Sequence, residues 1–140
     1  MYRRLLCAAA VSAAIVGAGC ADEVNPTPID PTPTEITEPP FTGRLAINGG
    51  VTTSFQSIQA GTVTAIVDSL EPLPVVGDGI GVSLGVWNGT SCQQITFNDN
   101  ASVGSGVAAL ANGAGNLCAR IYDSGKLTQP TDFVVTIKHH

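Results

Sequence analysis

From Phe41 onward, apolar and polar residues alternate with a period of two along most of the chain, the spacing of strands that bury one face. Phe41, Leu45 and Ile47 mark a first strand, and the glycines of Asn48-Gly49-Gly50 can supply the positive φ of a tight turn. Val51, Thr53 and Phe55 alternate beyond it, so these two segments are expected to pair as a hairpin. After a turn at Gln59-Ala60-Gly61, Val63, Ala65 and Val67 fall on one side of a strand over 62–68, with Thr64 and Ile66 on the other. Two partly apolar faces predict a central strand. Glu71-Pro72-Leu73-Pro74 reads as a loop, because proline cannot donate to a ladder.

The clearest alternation sets Ile80, Val82, Leu84 and Val86 against Gly81, Ser83, Gly85 and Trp87. Asn88-Gly89 then predicts a hairpin into 92–97, where Ile95 and Phe97 are expected on one face. A polar, turn-rich stretch over 98–106 precedes a short strand over 107–111 and a turn at Asn112-Gly113-Ala114-Gly115. Leu117, Ala119 and Ile121 alternate with Cys118, Arg120 and Tyr122, and Asp123-Ser124-Gly125 closes that strand. Phe133, Val135 and Ile137 form the last, which is expected to end at Lys138 and leave His139 and His140 frayed and exposed. About eight short strands separated by turns predict an all-β, antiparallel β-sandwich for residues 41–140.

The first 40 residues read differently. Two arginines, an apolar run over 5–16 and the small residues Gly17-Ala18-Gly19 form a secretory leader over 1–19, helical while it acts and then cleaved. The segment resembles the leader of bacterial lipoproteins, which implies that Cys20 is acylated by fatty chains such as palmitate and becomes the first mature residue. Gly17 departs from that family, which favours an aliphatic residue there. Ordinary cleavage after Cys20 is the alternative and would release a secreted protein. Arg3-Arg4 lacks the flanking residues of a twin-arginine signal, and Cys7 goes with the leader.

Residues 20–40 are a linker. After Cys20 they hold six prolines, four threonines, five acidic residues and no basic ones, a composition that stays extended at about 3 Å per residue. Behind an acylated cysteine this disordered spacer would hold the domain away from a membrane.

The order Phe41-Thr42-Gly43-Arg44-Leu45, Gly61-Thr62-Val63-Thr64-Ala65, Gly115-Asn116-Leu117-Cys118-Ala119-Arg120-Ile121-Tyr122 and Phe133-Val134-Val135-Thr136-Ile137 resembles the bacterial pre-peptidase C-terminal domain. The resemblance covers most of 41–138. It implies a jelly-roll-like sandwich, found beside secreted peptidases and on envelope proteins, with no catalytic motif to carry over. This chain carries no peptidase, and its cysteine pair is not general in those domains.

Charge removes one class of function. The formal charge is -5, and two of the six basic residues, Arg3 and Arg4, lie in the leader. Arg44, Arg120, Lys126 and Lys138 are too few and too scattered to displace counterions from a phosphate backbone, so no nucleic-acid partner is expected.

With Cys7 and Cys20 accounted for, Cys92 and Cys118 remain, and export makes a disulfide between them the expectation. A thiol nucleophile would need a base, and no histidine precedes His139. The same lack argues against a Ser-His-Asp triad and a His-rich zinc site. Carboxylate pairs among Asp68, Glu71, Asp78, Asp99, Asp123 and Asp132 are formally open, with no spacing that favours any two. No enzyme activity and no cofactor are expected.

Asn98, Asp99 and Asn100, with Asp123, are candidate calcium ligands through their clustered oxygens, against the competing reading of turn-forming side chains. Trp87, Asn88 and Tyr122 are candidate ligand-binding residues, Trp87 as a platform for a sugar ring or a protein partner. The expected protein is a non-enzymatic module, lipid-anchored in the bacterial cell envelope, with a carbohydrate or protein ligand. The rival is an accessory substrate-binding domain that assists a secreted hydrolase.

Overall fold

The computed structural model describes residues 33–74 and 79–140. The expected leader, Cys20, the first part of the linker and Asp78 lie outside them. Among the described residues nine strands form two antiparallel sheets packed as a β-sandwich, and there is no helix. The strands are β1 (Ile36–Thr37), β2 (Phe41–Leu45), β3 (Gly50–Ser57), β4 (Gly61–Glu71), β5 (Ile80–Trp87), β6 (Cys92–Ala101), β7 (Gly106–Ala111), β8 (Gly115–Tyr122) and β9 (Thr131–His139).

The first sheet has the order β1-β9-β4-β7, with β2 also on β9; the second has the order β3-β8-β5-β6. Between them lies the core, where Val63, Ala65 and Val67 of β4 and Phe133, Val135 and Ile137 of β9 share one cluster with Val82 and Leu84 of β5 and Ala119 and Ile121 of β8. These are the alternating apolar positions of the sequence, and β4 is central, between β9 and β7.

The expected hairpin of the first two long strands does not form. β2 pairs with β9 and β3 with β8, so the chain changes sheets between them. Asn48, at φ 56, makes the corner, where its N–H donates to Asp123 Oδ2 at 2.8 Å and Gly49 N–H donates to the Ala46 carbonyl at 2.9 Å. A glycine-rich turn serves a hairpin or a corner equally well; long-range pairing decided between them. Asn88-Gly89 does make the expected β5–β6 hairpin, with Gly89 at φ 97 and Asn88 Oδ1 accepting the N–H groups of Thr90 and Ser91.

β6 departs from its sequence pattern. Leu84 is opposite Thr96 but Gly85 is opposite Gln94, so Ile95 is the extra residue of a bulge. A bulge reverses the parity of side chains beyond it. Ile95 and Phe97 therefore do not share a face: Ile95 joins Leu110 at the open edge of the sandwich, and Phe97 lies with Arg120 and Tyr122 on the outer side of the second sheet.

Both ends of the domain are more ordered than the sequence suggests. β9 runs through His139, whose ring is 1% exposed, bonds Glu38 Oε1 through Nε2 at 2.9 Å and packs against Phe55 with centroids 5.3 Å apart. The His140 carbonyl accepts from Ser57 Oγ, Ile58 N–H and Gln59 N–H. The terminus is built into the sandwich because it satisfies these donors, which a polar, charge-bearing sequence end does not reveal. On the other side, Ile36 and Thr37, within the stretch read as spacer, pair with His139 and Lys138. Pro39 and Pro40, without N–H groups, interrupt the edge before β2 resumes it.

Candidate functional site

The outer face of the second sheet is organised around the small residues of β5. Gly81, Ser83 and Gly85 point outward from its central strand and are all buried, because neighbours close over them. A Cβ at position 85 would lie 2.7 Å from the carbonyl carbon of Gln93 and nearer still to its oxygen. With no side chain there, the start of β6 folds over β5. Cys92 thereby reaches Cys118, which lies opposite Gly85 on the far neighbour β8. The two form a disulfide with Cα atoms 5.7 Å apart. The bond straps together two strands that are not neighbours in the sheet.

A second strap crosses β5 at its other end. Tyr122 is opposite both Gly50 of β3 and Gly81 of β5. Its ring lies over Gly81, where a Cβ would come within 2.5 Å of Tyr122 Cδ2, and its hydroxyl donates to Asp99 Oδ1 on β6. Desolvation, the bond to Asp99 and the Asp99 charge push the Tyr122 pKa up to about 12, with Arg120 opposing them. The phenol therefore remains a donor at any physiological pH. Arg120 places its guanidinium carbon 5.7 Å from the Tyr122 ring centroid, over Gly50, where a Cβ would meet Nε and Nη2 at 3.0 Å. Among the described residues the guanidinium has no ion pair or hydrogen bond.

Between the straps, Gln94, Phe97, Asp99, Arg120 and Tyr122 line a recess of about 280 Å³. The Gln94 amide is held by the fully buried Ser83 of β5, whose hydroxyl accepts a 2.7 Å bond from Gln94 Nε2. Phe97 is 61% exposed. The recess thus combines an aromatic face, an uncommitted cation and carboxylate and amide oxygens, a set suited to holding a polar ligand.

The candidate ligand residues do not come together. Tyr122 belongs to the recess, but half-buried Trp87 lies opposite Cys92 at the far end of β5, about 20 Å from Gly81 at strand rise. Asn88 is committed to its turn, with Nδ2 on Ser91 Oγ at 3.0 Å. The candidate calcium ligands are likewise engaged within the protein. Asn98 bonds Gly106 and Asn100 through its side chain, Asn100 Oδ1 accepts from Gly79 N–H and Lys126 Nζ, and Asp99 accepts from Tyr122.

Asp123 closes a loop: Oδ1 accepts from Gly125, Lys126 and Leu127, and Oδ2 from Asn48. Desolvation alone would raise its pKa, but these four N–H groups outweigh it and hold the carboxyl below its ordinary value. No group of three or more His, Cys, Asp and Glu side chains placed to hold a metal occurs among the described residues.

Of the carboxylates weighed as pairs, Asp68 accepts from Thr136 and lies apart from Asp99 and Asp123. The register places Glu71 opposite Asp132, which is in turn opposite Arg44. Arg44 Nη1 lies 3.6 Å from Asp132 Oδ1 with both side chains largely exposed, so the row is a solvated charge balance in which the cation offsets a like-charged cross-strand pair.

No family model matches the chain, and no curated protein matches it. The recess residues Arg120, Gln94 and Phe97 went unmarked in the sequence. Their one trace is the Gly-x-Ser-x-Gly alternation of β5, an outward row too small to cover its own strand.

Proposed function

We propose that the protein is a lipid-anchored, non-enzymatic component of the bacterial cell envelope. Residues 1–19 deliver it, Cys20 anchors it, the stretch between Cys20 and β1 spaces it from the membrane, and the sandwich is displayed as a binding module. The observation that carries this reading is the Cys92–Cys118 disulfide. Such a bond persists outside the reducing cytosol, in keeping with a leader that ends in a small-small-Cys sequence. The likeness to pre-peptidase C-terminal domains agrees with an envelope location. Mass spectrometry of the mature protein, with and without reductant, tests it. A diacylated or triacylated Cys20 at the amino end and a reducible Cys92–Cys118 pair are expected; an unlipidated product would refute the anchor.

The recess on the second sheet favours a second reading, that of an accessory module holding a carbohydrate or protein substrate for a secreted hydrolase. An exposed aromatic beside an uncommitted arginine and two oxygen acceptors supports ligand binding. Loss of binding on Phe97→Ala in pull-down against envelope polysaccharides would support it.

A further inference from the structure

Resting on the reading of the sandwich as a binding module, we infer that the recess between the two straps takes a carboxylate-bearing sugar residue, a hexuronate of an acidic polysaccharide. Three features of the recess specify complementary parts of one ligand. The Arg120 guanidinium is exposed and has no partner among the described residues, and its flat fork of N–H donors matches a carboxylate in bidentate geometry. It is held ready: the Tyr122 ring and the open space at Gly50 fix where it lies, so less side-chain freedom is lost when a ligand arrives.

Phe97 offers an exposed aromatic face, which the bulge at Ile95 turns toward Arg120. The C–H face of a pyranose ring can lie on it. Asp99 and the oxygen of the Gln94 amide, whose nitrogen is already bound to Ser83, are acceptors that call for hydroxyl donors. A peptide carboxylate supplies the anion but not the row of hydroxyls. At β5, under the recess, β-strand addition is closed to it by pairing on both sides, and a strand added at the edge of β6 would lie beside the recess and not in it. A neutral hexose supplies the hydroxyls and leaves Arg120 unmatched. A uronic acid has both.

Titration calorimetry of the full mature protein in detergent tests the inference, with tetragalacturonate as the probe, its fully methyl-esterified form as the uncharged control and an N-acetylated tripeptide as a carboxylate without a sugar. Tetragalacturonate is expected to bind at least tenfold more tightly than either control. Arg120→Gln should abolish that preference by weakening tetragalacturonate about tenfold, and Phe97→Ala should weaken both saccharides alike. Both side chains are exposed, so an unchanged melting curve checks that each variant is folded. Equal binding of the ester, equal binding of the tripeptide, an Arg120→Gln protein that binds as well as the wild type, or no binding at all would each overturn the uronate assignment. If Cys20 in the same preparation is acylated, the anchored-module reading survives such a failure; an unlipidated Cys20 defeats that reading whatever the calorimetry gives.

Discussion

Reducing the Cys92–Cys118 bond removes a strap between strands that β5 already joins by hydrogen bonds on both sides. The ladders β5–β6 and β5–β8 do not depend on sulfur, so the native fold is expected to survive reduction. The loss should fall on the unfolded state, which regains the entropy of a loop spanning a sequence separation of 26. The chain-entropy relation gives about 3.5 kcal/mol for a loop of that size. For a domain of roughly 100 residues that corresponds to a melting temperature lower by about 15 °C. Urea unfolding followed by the fluorescence of Trp87, the chain's single tryptophan and the cross-strand partner of Cys92, would measure it with and without a phosphine reductant. The m-value should rise on reduction, because the opened chain exposes more surface. Cys92→Ala/Cys118→Ala serves as a control; alanine rather than serine is used because Cys118 is fully buried and a hydroxyl there would need a partner. A loss below about 1 kcal/mol with an unchanged m-value would refute the argument that the bond acts as a cross-strand closure of the unfolded chain.

Gly85→Ala should cost about 1–3 kcal/mol, since its Cβ would press on the Gln93 backbone, whereas Gly115→Ala, with open space around it, should stay within about 0.5 kcal/mol; thermal denaturation of the two variants compares them. Acid titration of stability should show the Asp123 contribution fully present above the ordinary carboxyl value of 3.8 and lost as pH falls through the lower folded value, and Asp123→Asn should flatten that limb. The Tyr122 contribution should be intact below pH 10 and disappear as pH rises toward about 12, a loss that Tyr122→Phe removes. His139→Ala should destabilise by about 2–4 kcal/mol in chemical denaturation, the cost of emptying a core position, where a frayed terminus would lose almost nothing.

The alternating pattern by itself placed most of the strands, the inward sides of β4, β8 and β9 and the antiparallel all-β class, because the pleat ties every second residue to one face and such faces are buried by packing sheet on sheet. Val63, Ala65 and Val67, or Phe133, Val135 and Ile137, could be placed inward without any knowledge of their partners. What local pattern does not contain is pairing between distant strands. Asn48-Gly49-Gly50 has the chemistry of a hairpin and became a corner; Ile95 and Phe97 have the spacing of one face and were parted by a bulge. His139 has the composition of a loose end and was buried against Phe55 and Glu38. The recess depends on the same tertiary choice. Arg120, Phe97 and Asp99 meet only because β6 and β8 flank a β5 whose outer row is too small to keep them apart, and the register that aligns Gly50, Tyr122 and Gly81 is set by the packing of the whole sheet.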